Sequence, residues 1–117
     1  RLGGWKPGLL AGLFASVASI YFFLQPIGAF GIARTIQYGV SRNRELYDPE
    51  IHPQSYKTKA AYHAANTTTI NHFYEKLFKI SSTLHTAKAK QLAVPRDQIM
   101  HDFVKAIESE YRDVYGN

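Results

Sequence analysis

The stretch Thr69-Ile-Asn-His-Phe-Tyr-Glu-Lys-Leu-Phe-Lys-Ile-Ser-Ser-Thr-Leu84 decides the fold. Ile70, Phe73, Tyr74, Leu77, Ile80 and Leu84 recur at three- and four-residue intervals, which lays one apolar stripe along a helix. Thr67 or Thr68 supplies an N-cap oxygen, and Glu75 and Lys79 stand at i, i+4 on the outer side, where they can pair weakly. A second helix starts after Thr86 and carries Leu92, Ile99, Phe103, Ile107 and Val114. Pro95 lies inside that pattern, and proline lacks the amide that a helix interior needs, so a kink or a break is expected there. Two amphipathic helices joined by a short connection predict an antiparallel pair, with Phe73, Leu77 and Ile80 facing Leu92, Phe103 and Ile107.

Upstream, Ile27-Gly-Ala-Phe-Gly-Ile-Ala-Arg-Thr-Ile-Gln-Tyr-Gly39 reads as a third helix. Gly28, Ala29, Gly31 and Ala33 let a neighbour approach closely, and Gly39 suits a C-terminal stop. Residues 40 to 66 are polar and contain Pro49 and Pro53; they read as a long loop with one helical turn over Lys57 to Ala65. A loop of that length is usually functional or mobile. No segment alternates with a period of two, so the expected fold class is all-α.

The N-terminus differs in kind. Residues 1 to 33 hold 2 of the 14 basic residues and none of the 9 acids. Residues 8 to 24 form a 17-residue uncharged run, apolar on every side, which approaches the thickness of a hydrocarbon core. Trp5, Lys6 and Tyr21 resemble interfacial anchors. A helix apolar all round needs lipid, a large core or a protein partner to cover it. Residues 1 to 26 are therefore set apart as a membrane anchor or a non-native extension, and residues 27 to 117 as the helical region proper. The protein is membrane-associated on the first reading and cytoplasmic on the second.

Composition narrows function. The 117 residues carry a net charge of +5, 20% charged and 45% hydrophobic residues and no Cys. That balance belongs to a folded chain, and it excludes disulfides, Cys-ligated zinc and a Cys nucleophile. The charge permits phosphate-bearing partners, but the scattered Lys and Arg do not indicate nucleic acid. His52, His63, His72, His85 and His101 show no zinc-protease spacing. His101-Asp102 belongs to a solvated helix face, and His72 lies near an apolar one. There is no Gly-rich phosphate loop.

Several pieces of the chain, in order, resemble the HD-domain metal-dependent phosphohydrolases: Ile27-Gly-Ala-Phe-Gly-Ile-Ala-Arg34, Tyr47-Asp-Pro-Glu-Ile51, Thr69-Ile-Asn-His-Phe-Tyr-Glu-Lys-Leu77, and then Thr86, Ala89-Lys90, Ala93, Arg96, Met100, Phe103 and Glu110. The resemblance is to the C-terminal part of an uncharacterised branch of that family. It implies a partial HD-domain-like helical fold, phosphate-containing small-molecule substrates and, in complete members, a divalent metal held by a His, a His-Asp pair and a later Asp. The later Asp would precede Ile27, where this chain reads Ile20-Tyr-Phe-Phe-Leu-Gln25. No metal ligand and no catalytic residue is therefore expected in this chain. Without the metal nothing lowers the pKa of an attacking water.

Two readings follow. The chain is a fragment or degenerate member of the hydrolase family, inactive alone; or it is a small single-span membrane protein whose HD-derived helical tail is an interaction module in a larger complex. If a remnant of a substrate pocket exists, its residues are Arg34, Asn71, His72 and Lys76: Arg34 can clamp a phosphate oxygen, and His72 and Lys76 share one flank of the helix. The full chain is expected to need detergent, whereas a chain shortened to begin at Gln25 is expected not to. A full chain that is monomeric in plain buffer removes the main support for both the anchor and the extension.

Overall fold

The computed structural model describes residues 24–116, which are all helical or loop. Four helices are present in this region. Helix α1 is Gly28–Ser41 and α2 is Lys59–Ala64. Helix α3 is a composite rod: an α-helical turn over Thr69–His72, a π-helical stretch over Phe73–Leu77, an α turn over Phe78–Ile80 and a 3-10 turn over Ser81–Thr83. Helix α4 is Ala87–Tyr115. The apolar run over residues 8 to 24 lies outside the described residues except for Leu24, which is buried. Among the described residues no helix is long and apolar enough to cross a membrane.

The expected cap of the first helix is made by Thr68, and the second helix, expected to start after Thr86, is capped by Thr86 itself. Thr68 Oγ1 accepts from the Asn71 amide at 3.2 Å and Thr86 Oγ1 from the Ala89 amide at 3.0 Å. Each satisfies one of the donors that a helix start leaves free. The two helices then run antiparallel: Tyr74 reaches Glu108, Phe73 meets Phe103, Phe78 stacks on His101, and the chain reverses between Leu84 and Ala89. Phe73 and Leu77 are buried, with Ile80, Leu92, Phe103 and Ile107 packed against the same core.

The face of α4 differs from the expected one. Its buried residues are Ala89, Ala93, Met100 and Val104, whereas Ile99 is 47% and Val114 71% exposed. Size misleads here: small side chains at 89 and 93 hold buried positions, while Val94, Ile99 and Val114 stay largely in solvent. Pro95 does not break α4. It removes the amide that would have bonded the Gln91 carbonyl, but both residues lie on the exposed side, where water can take that acceptor. One turn on, Arg96 donates from Nη1 to the Leu92 carbonyl at 2.7 Å.

The rod α3 is not a plain α-helix. The Phe78 amide donates to the Phe73 carbonyl, the five-residue step that defines a π turn. The expected Glu75–Lys79 pair does not form, because Glu75 faces the loop instead. Its carboxylate accepts from the Gln54 amide at 2.9 Å, from Tyr56 Oη at 3.2 Å and from Thr67 Oγ1 at 3.2 Å. Helix α1 likewise passes its expected stop at Gly39 and ends at Ser41. Gly39 is an interior residue pressed on the Thr69 side chain of α3, and a Cβ there would collide with Thr69 Oγ1. Gly31 sits equally close to the Pro26 carbonyl.

Replacing Gly39 by Ala should therefore destabilise the fold by about 1–3 kcal/mol, despite alanine's better helix propensity. Adding Thr69→Ala should return part of that loss, because it removes Oγ1, the atom the new methyl would collide with, while the β-carbon stays close. Denaturant titrations of the two single variants and the double variant measure this coupling; strict additivity would mean that the contact is not what excludes a side chain at position 39.

Candidate functional site

The start of α3 organises the long loop. The Thr69 and Ile70 amides, free at the start of the rod, donate to the Glu45 and Leu46 carbonyls, both at 2.9 Å. Asn71 is buried and donates from Nδ2 to the Ile51 carbonyl at 2.8 Å. With the three bonds to Glu75, these contacts fasten residues 45 to 56 along one side of the rod. Tyr47 closes the other end by meeting Tyr111 of α4 edge-on, with ring centroids 5.1 Å apart.

This fastening sets Arg44 and α2 against His72. Arg44 donates from Nη1 to Tyr62 Oη at 2.8 Å and from Nη2 to the Tyr62 carbonyl at 3.1 Å. Its guanidinium also lies 4.6 Å from the Tyr62 ring centroid and 5.4 Å from that of Tyr38. Tyr62 Oη is 2.5 Å from His72 Nδ1, and Tyr38 Oη is 2.6 Å from His63 Nδ1. Burial holds His72 well below its ordinary value of 6.5, at about 4, with the positive charges of Lys76 and Arg44 adding to the effect. Burial likewise pushes the Tyr62 phenol up, outweighing the opposing pull of Arg44. At neutral pH the pair is therefore an uncharged imidazole beside an intact phenol.

A cavity of about 520 Å³ opens between α1 and α3, and Arg34, Tyr38, His72 and Lys76 line it together with Gln25 and Thr83. Arg34 donates to Gln25 Oε1 at 3.4 Å and is otherwise exposed. Three of the four residues named from sequence thus meet in one place. Asn71 does not join them: it pins the loop. A second hollow of about 710 Å³ lies on the loop side, lined by Arg42, Arg44, Glu45, Asp48, His63 and Asn66 among others. Sequence reading did not single out Tyr38, Arg44, Tyr62 or His63 as site residues, although His63 was weighed with the other histidines for metal spacing. The signal within reach was the Tyr62-His63 pair inside the predicted helical turn, in a loop long enough to be functional.

The donors among the described residues do not gather into a site that fits a divalent metal. Among the described residues no three His, Asp or Glu side chains come together. The carboxylates and imidazoles nearest the cavity are already engaged: Glu75 by the loop, and His63 and His72 at Nδ1 by tyrosines. His101 pairs with Asp97 at 3.6 Å, and its ring is stacked on Phe78 of α3 rather than turned to a fully solvated face as the sequence suggested.

Comparison with known proteins agrees with this architecture. A crystal structure from Lactobacillus plantarum is 42% identical, with a TM-score of 0.71, over 78% of this chain and 45% of its own. A crystal structure of an HD-superfamily hydrolase from Bacillus thuringiensis is 35% identical, with a TM-score of 0.67, over 80% of this chain and 44% of its own. The described region is related to the HD-superfamily hydrolase fold. The uncharacterized protein YpgQ of Bacillus subtilis is 30% identical over 87 residues, 74% of this chain and 35% of YpgQ. The chain thus spans about a third of that curated relative and under half of the solved structures. No family model matches it.

The neutral His72 makes stability depend on pH. Its folded value is depressed, so the unfolded chain binds the proton first as pH falls. The contribution is fully present above pH 6.5 and is lost down to about pH 4. At 1.36 kcal/mol per unit it amounts to about 3 kcal/mol at most. Denaturant unfolding of the wild type across that window should show the loss, and His72→Gln should flatten the curve there; equal slopes in the two proteins would contradict the assignment.

Proposed function

We propose that this chain carries the substrate-holding side of an HD-type phosphohydrolase fold, corresponding to its C-terminal part, and that it binds a phosphate-containing small molecule without hydrolysing it alone. The observation that carries this reading is the convergence of Arg34, His72 and Lys76 on one cavity. A guanidinium donates in a fork that matches phosphate oxygens, and an ammonium adds a compact charge. Kinship with an HD-superfamily hydrolase makes a phosphate ester the natural occupant. The lack of turnover is inferred from the donor set, since no three His, Asp or Glu side chains meet among the described residues.

Purified chain supplied with nucleotides and Mn²⁺, Mg²⁺ or Ni²⁺ should show background hydrolysis only; metal-dependent turnover that survives repurification would refute this part. Tripolyphosphate should bind, more weakly as salt rises, because exposed charges are screened. Arg34→Ala and Lys76→Ala should each weaken it about tenfold, the scale of one hydrogen bond to a charged group. Calorimetric titration in which both variants bind like the wild type would remove the cavity assignment.

A further inference from the structure

We infer that Tyr62 is a positioning residue that holds His72 in a single tautomer, with Nδ1 accepting and Nε2 carrying the proton, so that His72 offers the cavity a neutral N–H donor beside the cations of Arg34 and Lys76. This rests on the reading of the cavity given above.

Proton counting around Tyr62 carries the argument. A guanidinium only donates, so the 2.8 Å contact from Arg44 Nη1 makes Tyr62 Oη an acceptor. The phenol keeps one proton, and the nitrogen 2.5 Å away is His72 Nδ1. If Nδ1 also carried hydrogen, Tyr62 Oη would accept twice and its own proton would have to turn away from the nearest acceptor. With Nδ1 bare, every donor in the chain from Arg44 through Tyr62 to His72 finds an acceptor. A guanidinium bonded to the phenol oxygen also polarises the O–H and makes it a better donor.

The other ring nitrogen follows. In a neutral imidazole with Nδ1 bare, Nε2 holds the hydrogen. Nε2 has no partner among the described residues and is not sealed off, because the sole buried polar side-chain atom left without one there is Asp97 Oδ1. His72 lines the cavity. The ring therefore presents a donor of fixed direction whose position is set by α2, a short helix that does not itself line that cavity. A neutral donor suits the bridging or ester oxygen of a phosphate ester, while the two cations take the charged oxygens.

The test begins without ligand. Two-bond ¹H–¹⁵N spectra at neutral pH separate the two neutral tautomers of His72, and the Nε2–H pattern is expected. In Tyr62→Phe, which keeps the ring and loses the hydroxyl, that pattern should give way to a mixture, and tripolyphosphate should bind roughly fivefold more weakly. An Nδ1–H pattern in the wild type overturns the inference, even if the variant fails to fold. So does a folded Tyr62→Phe chain that binds tripolyphosphate as tightly as the wild type. Failure of the cavity reading is distinguished by Arg34→Ala and Lys76→Ala: if neither weakens binding, that reading falls, while the ligand-free spectrum still decides the tautomer.

Discussion

The free amides at the start of α3 constrain everything around them. A buried helix start must find acceptors, and here they are the Glu45 and Leu46 carbonyls and the Thr68 hydroxyl. The loop is thereby part of the helix end rather than a strap over it. Once residues 45 and 46 are fixed, Arg44 has little freedom, and with Arg44 fixed Tyr62 is drawn over His72. A backbone requirement three residues upstream of His72 thus orders the side chains around it. Glu75 extends the same logic by one turn: a carboxylate that would otherwise sit on a solvated face collects three donors from the loop and its edge.

Much of the fold was legible because it rests on local chemistry. The N-cap at Thr68, the helix start after Thr86, the stripe from Ile70 to Leu84 and the short helix within Lys57 to Ala65 all follow from residue type and spacing. The departures share a cause, which is tertiary contact overriding local preference. Gly39 looks like a stop, yet it continues the helix because Thr69 needs its missing side chain. Ile99 looks like core, yet Ala93 and Met100 hold the face turned to the other helices and leave Ile99 half in solvent. The π turn has no signature in the residues that form it; it is stabilised by what its side chains meet, with Phe73 and Leu77 inside and Glu75 toward the loop.

The site was legible to a different degree. Arg34, His72 and Lys76 were nominated through resemblance and helical spacing, and they share a cavity. Asn71 was nominated by the same run of sequence, but it faces the opposite side, where a backbone carbonyl claims it. Arg44 and Tyr62 are 18 residues apart, joined by two hydrogen bonds and a ring contact that no spacing rule anticipates. Partners held by a long loop are set by where that loop is fastened, and fastening is a property of the folded state.

Gly39 has one more consequence. Each residue of an α-helix advances the chain by a fixed angle, so a helix locked at one point of its circumference is locked at all of them. The notch that Gly39 leaves is filled by the Thr69 side chain, which acts as a key, and α1 cannot spin about its own axis without driving a backbone atom or a neighbouring side chain into Thr69. Tyr38 stands one residue before that notch and Arg34 five. The bearing of the cavity's guanidinium is thus indexed by a notch on another part of the same helix, at a residue with no side chain to contribute.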